Sequence, residues 1–60
     1  MKRFKYVMTD REGGKFLASQ EVTFKDFPED WKDNGMAQRA LFEQREEFIN
    51  KMIEVKVTEI

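Results

Sequence analysis

Two carboxylate pairs at four-residue spacing, Asp26/Asp30 and Glu43/Glu47, are the nearest this chain comes to a catalytic constellation. Such pairs do general acid and base work when a pocket holds one protonated and the other ionised. Glu43 and Glu47 fall on the polar arc of a predicted helix, where water reaches both. The chain has no histidine and no cysteine. That removes the commonest general base, the thiolate nucleophile and the usual zinc ligand sets. The single serine, Ser19, lies on a predicted strand with no imidazole to activate it. The run from Asp30 to Gly35 starts like a calcium loop, with an acid first, Asn34 fifth and Gly35 sixth. Lys32 stands at the third ligand position, however, and Leu41 where a bidentate glutamate belongs. Gly13-Gly14-Lys15 lacks phosphate-loop spacing and reads as a turn. No catalytic residue, metal or cofactor is expected, and a binding surface is the better reading.

That surface is the segment Phe24 to Gly35. It holds three large aromatics, Phe24, Phe27 and Trp31, and four carboxylates, in a stretch too broken to be ordinary core. Phe27 and Trp31, one helical turn apart, would form a half-exposed aromatic wall ringed by Asp26, Glu29, Asp30 and Asp33. Aromatics inside a polar rim resemble the hot spots of protein interfaces. An acidic rim steers toward a basic partner, such as the DNA-binding groove of an enzyme. These six residues are the expected partner-binding set. The competing reading is that Trp31 folds back to cap the core, because a small domain depends on its large aromatics.

The elements that must carry this segment follow from periodicity. Residues 3–9 alternate, with Phe4, Tyr6 and Met8 on one face and Arg3, Lys5, Val7 and Thr9 on the other, which is a half-buried strand. Asp10 to Gly14 ends in two glycines and reads as a hairpin turn with a bulge or short loop. Residues 15–24 alternate again, with Phe16, Ala18, Val22 and Phe24 on one face and Gln20 interrupting it, the mark of a bulge or a partly open edge. Pro28 ends that strand and suits a short helical turn over 28–32. Asp33-Asn34-Gly35 breaks the turn and supplies an N-cap. The spacing then predicts an amphipathic helix over 36–52, with Ala37, Leu41, Phe48 and Met52 on one stripe and Phe42, Ile49 and Ile53 beside it. Arg39/Glu43 and Glu47/Lys51 are i,i+4 pairs on its surface. Arg45 falls within the apolar arc, either snorkelling its guanidinium to water or facing a carboxylate or a partner. Residues 52–59 alternate with β-branched residues and read as a third strand.

The expected fold is α+β, in the order β-β-α-β. It is a single domain over 1–60 with a three-stranded antiparallel sheet of order 2-1-3 and the helix on one face. Two sheet edges stay open and invite pairing, so a homodimer is an expected assembly. A chain of sixty residues buries only about 60% of its extended surface and often gains stability from a partner. Its net charge of −1 argues against broad phosphate-backbone binding, which needs a basic face. No apolar run approaches the ~20 residues that span a bilayer. Met1 to Tyr6 has no apolar region behind its basic residues, so a secretory leader is not expected. The lack of cysteine fits a cytoplasmic setting.

The order of elements carries a resemblance. A hairpin, then Val22-Thr23-Phe24-Lys25-Asp26-Phe27, an aromatic four residues on at Trp31, and a closing strand together resemble the small phage-encoded inhibitors of uracil-DNA glycosylase. Those are dimeric β-β-α-β DNA mimics. The resemblance implies that Phe27 and Trp31 form part of a pocket gripping an apolar side chain from the enzyme's DNA-intercalating loop. It also implies a phage protein acting in the host cytoplasm. The turn Asp10 to Lys15 is similar to the acidic, glycine-containing turn of that family. Two features depart from it. Pro28 stands where the family carries a glutamate of the interface, and the long predicted helix is one the family does not need.

Three functions compete on these grounds. The first is a non-catalytic inhibitor that occupies a groove of a partner enzyme through the aromatic and acidic segment. The second is a general interaction module that works through an open strand edge. The third, behind both, is a single-stranded nucleic-acid binder using Lys2, Arg3 and Lys5 with Phe4 and Tyr6 as stacking platforms.

Overall fold

The computed structural model describes residues 1–60. Its elements are strands β1 (Lys2–Asp10) and β2 (Phe16–Phe24), a 3-10 turn at Trp31–Asp33, helix α1 (Gly35–Glu46) and strand β3 (Ile53–Glu59). The sheet order is β2-β1-β3, and both pairings are antiparallel. This is the expected α+β layout.

Register follows the alternation of side chains. Phe4 lies opposite Val22 and Glu59, Tyr6 opposite Gln20 and Val57, and Met8 opposite Ala18 and Val55. All of these residues share the helix-facing side of the pleat. At the tip of the hairpin, Gly14 adopts φ 69° and its N–H bonds Asp10 O at 2.7 Å. Asp10 N–H returns to Lys15 O at 2.8 Å, and the Asp10 side chain accepts from Glu12 N at 3.0 Å. The ladder slips between Met8 and Thr9, where Ala18 gives way to Phe16 as partner and Leu17 becomes the extra residue. Gln20 therefore pairs normally. Its interruption of the apolar face corresponds to an open surface, since Phe16, Ala18 and Gln20 are all exposed.

Asn34 starts the helix. Its side-chain oxygen accepts from Met36 N and Ala37 N, both at 3.1 Å, as a good N-cap does. The helix ends at Glu46, six residues short of the predicted end at 52. The cause is the sheet. Met52 O already accepts from Arg11 N at 3.0 Å, so the chain must leave the helix in time to reach β1. Its last turn tightens, with Glu47 N bonding Gln44 O and Phe48 N bonding Arg45 O. The Asn50 side chain then accepts from Met52 N at 2.8 Å, a local bond that competes with continued helix. Phe48 nonetheless reaches the core, with its ring centroid 5.4 Å from that of Tyr6. Met52 is exposed, and the Glu47/Lys51 pair falls outside the helix. Arg39 and Glu43 do pair, at 3.3 Å.

The shortened helix leaves a thin core. Only Phe4, Tyr6, Ala37, Leu41 and Val55 are buried. Tyr6 is wholly covered and its hydroxyl donates to Leu41 O at 3.3 Å. Burial holds its phenol above the ordinary tyrosine range. The Arg45 guanidinium meets no carboxylate, and none of its nitrogens is buried without a partner, as a snorkelling side chain requires. Its Nε donates to Val55 O at 3.2 Å. The first half of β2 lies beyond the reach of α1, so Phe16 and Leu17 are exposed at one end of a molecule 35 Å long and 16 Å thin. No helix is long and apolar enough to cross a membrane.

Candidate functional site

The backbone between β2 and α1 is not the helical turn expected over 28–32. Pro28 has no N–H and keeps Phe27 out of helical conformation, so regular structure begins only at Trp31. Asp26 takes a left-handed φ of 58°, which acidic and amide side chains tolerate better than most. The reversal drives Phe27 inward. Its ring meets Phe4 edge-on at 5.4 Å and lies 5.0 Å from Phe24. Trp31 meets Phe4 in a near-perpendicular contact at 5.2 Å.

Both aromatics of the expected wall are thus half-buried and spend their inner edges on Phe4. For Trp31, the reading as a cap on the core describes that edge. The carboxylates of Asp26, Glu29, Asp30 and Asp33 are exposed around them, as the acidic rim requires. Asp30 precedes the 3-10 turn without a side-chain capping bond, and its backbone oxygen accepts from Asp33 N at 2.9 Å.

The concave feature involves Trp31 but not Phe27. A pocket of about 190 Å³ opens between the 3-10 turn, α1 and β3. Phe4, Leu41 and Val57 form its floor, Trp31 and Phe42 its walls, and Gln38 and Glu59 its polar mouth. Phe42 is 56% exposed, a large aromatic left in water beside an apolar cavity. A second hollow at the far end, along Asp10, Leu17 and Met52, is larger but is an open trough remote from the acidic segment.

No protein-family model, curated protein or solved structure matches this chain.

A polar brace holds the Trp31 wall. Glu59 Oε1 accepts from the Trp31 indole Nε1 at 3.0 Å, and Glu59 Oε2 lies 3.1 Å from Lys2 Nζ. Lys2 Nζ also lies 2.9 Å from Glu29. The Lys2 side chain is 15% exposed, so its stem is covered while its ammonium meets two carboxylates. Those carboxylates, Glu29 foremost and then Glu59, hold Lys2 above its ordinary pKa. Lys2 first and then the Trp31 N–H hold Glu59 below the usual glutamate range. Lys32 Nζ stands over the Trp31 ring, 5.6 Å from its centre, within cation–π range.

Of the six residues expected from the sequence, only Trp31 lines the pocket; Phe27 packs on Phe4 and Phe24, and Asp26, Glu29, Asp30 and Asp33 are exposed outside its lining. Phe42, Gln38, Val57 and Glu59 were not singled out. A signal for Glu59 was present. It occupies the inward phase of β3 after Ile53, Val55 and Val57, where a carboxylate needs a partner. Lys2 occupies the same phase of β1 ahead of Phe4. The stacking-platform reading fails on geometry. Phe4 and Tyr6 are both 0% exposed, because α1 and the 24–31 segment cover that face. Arg3 and Lys5 point to the opposite side of the sheet, where Arg3 is bound to Glu21 at 2.9 Å.

Proposed function

We propose that this chain is a non-catalytic binding protein of inhibitor type, whose acidic, aromatic end occupies a surface groove of a partner enzyme. The observation that carries the reading is the pocket between Trp31 and Phe42. It is apolar within, and its Trp31 wall belongs to the segment that carries the exposed Glu29, Asp30 and Asp33. That combination suits an apolar side chain presented from a basic surface. DNA-binding enzymes offer such a surface, and the resemblance in residues 22–31 names uracil-DNA glycosylase as the first candidate. On that reading the protein is phage-encoded and works in the host cytoplasm.

Uracil excision by the purified enzyme, measured with this protein in large molar excess, tests the named target. Inhibition is expected, and Phe42→Ala should weaken it about 30-fold, the effect of losing one interface hot spot. Because Phe42 is mostly exposed, the variant keeps its fold. Undiminished excision would remove uracil-DNA glycosylase as the target.

A homodimer belongs to the same proposal. The outward edge of β2, from Leu17 to Thr23, is uncovered and carries the exposed Phe16 and Leu17 at one end. Edges of this kind pair with a second copy. Sedimentation of the protein across a concentration series would reveal the dimer, and a monomer throughout would exclude it.

A further inference from the structure

The register of β3 determines which of its backbone groups face solvent. Ile60 N donates to Arg3 O at 2.9 Å, and Arg11 N donates to Met52 O at 3.0 Å. Hydrogen-bonded pairs therefore alternate with non-bonded ones such that Val55, Val57 and Glu59 direct N–H and C=O away from β1. Arg45 occupies the Val55 carbonyl. Val57 and Glu59 keep both donors and both acceptors unpaired. These two residues also line the Trp31–Phe42 pocket with their side chains. One short stretch of edge thus offers backbone pairing in the plane of the sheet and a cavity just above that plane.

We propose that Val57 and Glu59 form a strand-addition site, which takes an extended segment of a partner protein carrying one apolar side chain flanked by basic residues. The proposal rests on the pocket being the binding site and specifies how it is filled. A residue placed opposite Val57 or Glu59 points its side chain to the helix-facing side, as those two do, and so toward the cavity. Backbone bonds supply registration and the pocket supplies selection for the apolar residue. The exposed carboxylates Glu29, Asp30 and Asp33 on the neighbouring segment favour lysine or arginine two residues from that anchor, on the same face of the added strand. The β2 edge is longer but has no comparable enclosed pocket, so it offers pairing without selection. Arg45 confines the open stretch on β3 to the end that borders the cavity, since its bond to Val55 closes the edge beside α1.

The probe is a short synthetic peptide with one central Leu, Thr at both adjacent positions and Lys two residues away on either side, with a second peptide carrying Ala in place of the Leu. Amide shifts and amide exchange of the labelled protein report strand addition, and Trp31 fluorescence reports occupation of the pocket. The expected result is that the Leu peptide shifts and protects the Val57 and Glu59 amides and perturbs Trp31. The Ala peptide should bind much more weakly. A chain synthesised with N-methylvaline at position 57 loses the outward donor and no native bond. It should bind the Leu peptide about tenfold less tightly, the effect of one lost hydrogen bond and an acceptor left unpaired. If Trp31 responds while the Val57 and Glu59 amides do not, the pocket reading stands and strand addition is wrong. Protection of Ser19 and Thr23 instead would place the docking edge on β2 and overturn the assignment to β3. If neither the amides nor Trp31 respond, both readings fall.

Discussion

Replacing Phe4 by leucine tests whether the aromatic cluster is what ties the 24–31 segment to the sheet. Phe4 is fully buried and lies within 5.8 Å of the rings of Phe24, Phe27 and Trp31. All three contacts are edge-to-face. Leucine keeps most of the buried apolar area and removes all three. Each such pair adds about 0.5–1.5 kcal/mol beyond its area. The three share one ring and do not sum fully, so a loss of about 2–3 kcal/mol is expected for Phe4→Leu. A domain of this length has a total stability of about 3–9 kcal/mol. The substitution therefore removes a large fraction of it without unfolding the chain outright. With a urea slope of about 1 kcal/mol per molar for a small protein, the midpoint should fall by about 2–3 M. Far-UV circular dichroism and Trp31 fluorescence provide the two readouts. In native buffer the emission of Trp31 should move to the red, because its inner edge loses the ring it rests on. A midpoint shift below about 0.5 M with unchanged emission would refute the reasoning, since the segment would then be held by something other than Phe4.

The remaining predictions concern the cap, the turn, the ionic brace and the edge. Asn34→Ala leaves the Met36 and Ala37 N–H groups without their acceptor and should cost about 1 kcal/mol, read as a fall in melting temperature of about 4–8 °C. Asp26→Ala places a methyl side chain at φ 58° and should destabilise by about 1 kcal/mol, whereas Asp26→Gly should be near neutral; equal melting temperatures for the two would contradict the strained turn. Glu59 has a lowered pKa, so its contribution is complete above the ordinary glutamate value of 4.5 and is lost as pH falls through its folded value. Lys2 has a raised one, so its contribution is complete below 10.5 and is lost as pH rises beyond that. Thermal melts across pH should therefore decline at both ends, and Glu59→Gln should flatten the acid limb; an unchanged acid limb would show that another carboxylate governs it. Arg45→Met uncovers the Val55 carbonyl and lengthens the open edge of β3, and sedimentation at high protein concentration should register more self-association than in the parent.

Strand positions were legible because alternation is a local property. Phe4, Tyr6 and Met8 announce their face within seven residues, and the antiparallel 2-1-3 order follows from a tight hairpin and one returning helix. The length of that helix was not legible. Phe48, Ile49 and Met52 continue the helical spacing of Ala37 and Leu41, and Asn50 is the one residue in the run that favours a stop. The stop comes from tertiary pairing, because Met52 is committed to Arg11 on the sheet. The same limit applies to the site. The acidic rim could be read from composition. The pocket depends on Trp31, Phe42 and Val57 meeting from three separate elements, and Phe42 passes for core because its place beside the apolar stripe gives no sign that it is left exposed.

The thin core and the binding surface are two consequences of that short helix. A helix continuing to residue 52 would bring Phe48, Ile49 and Met52 over the sheet in one rigid stripe. The twelve-residue α1 covers Tyr6 and Val55 and leaves the sheet beyond to the 24–31 segment. Where helix and segment meet, neither fills the space, and the gap between Trp31 and Phe42 is that unfilled seam. The seam persists because the Trp31 wall is held from outside by Glu59 and Lys2, so the ring does not collapse inward onto Leu41. Filling the seam by substitution separates stability from binding. Gln38→Leu gives up the exposed bond from the Gln38 amide to the Lys32 carbonyl and places an apolar side chain at the mouth, which should leave the melting temperature at or above that of the parent while blocking the entry of a partner's side chain. A variant that became more stable and still bound equally well would show that the seam is a packing defect and that the binding site lies elsewhere.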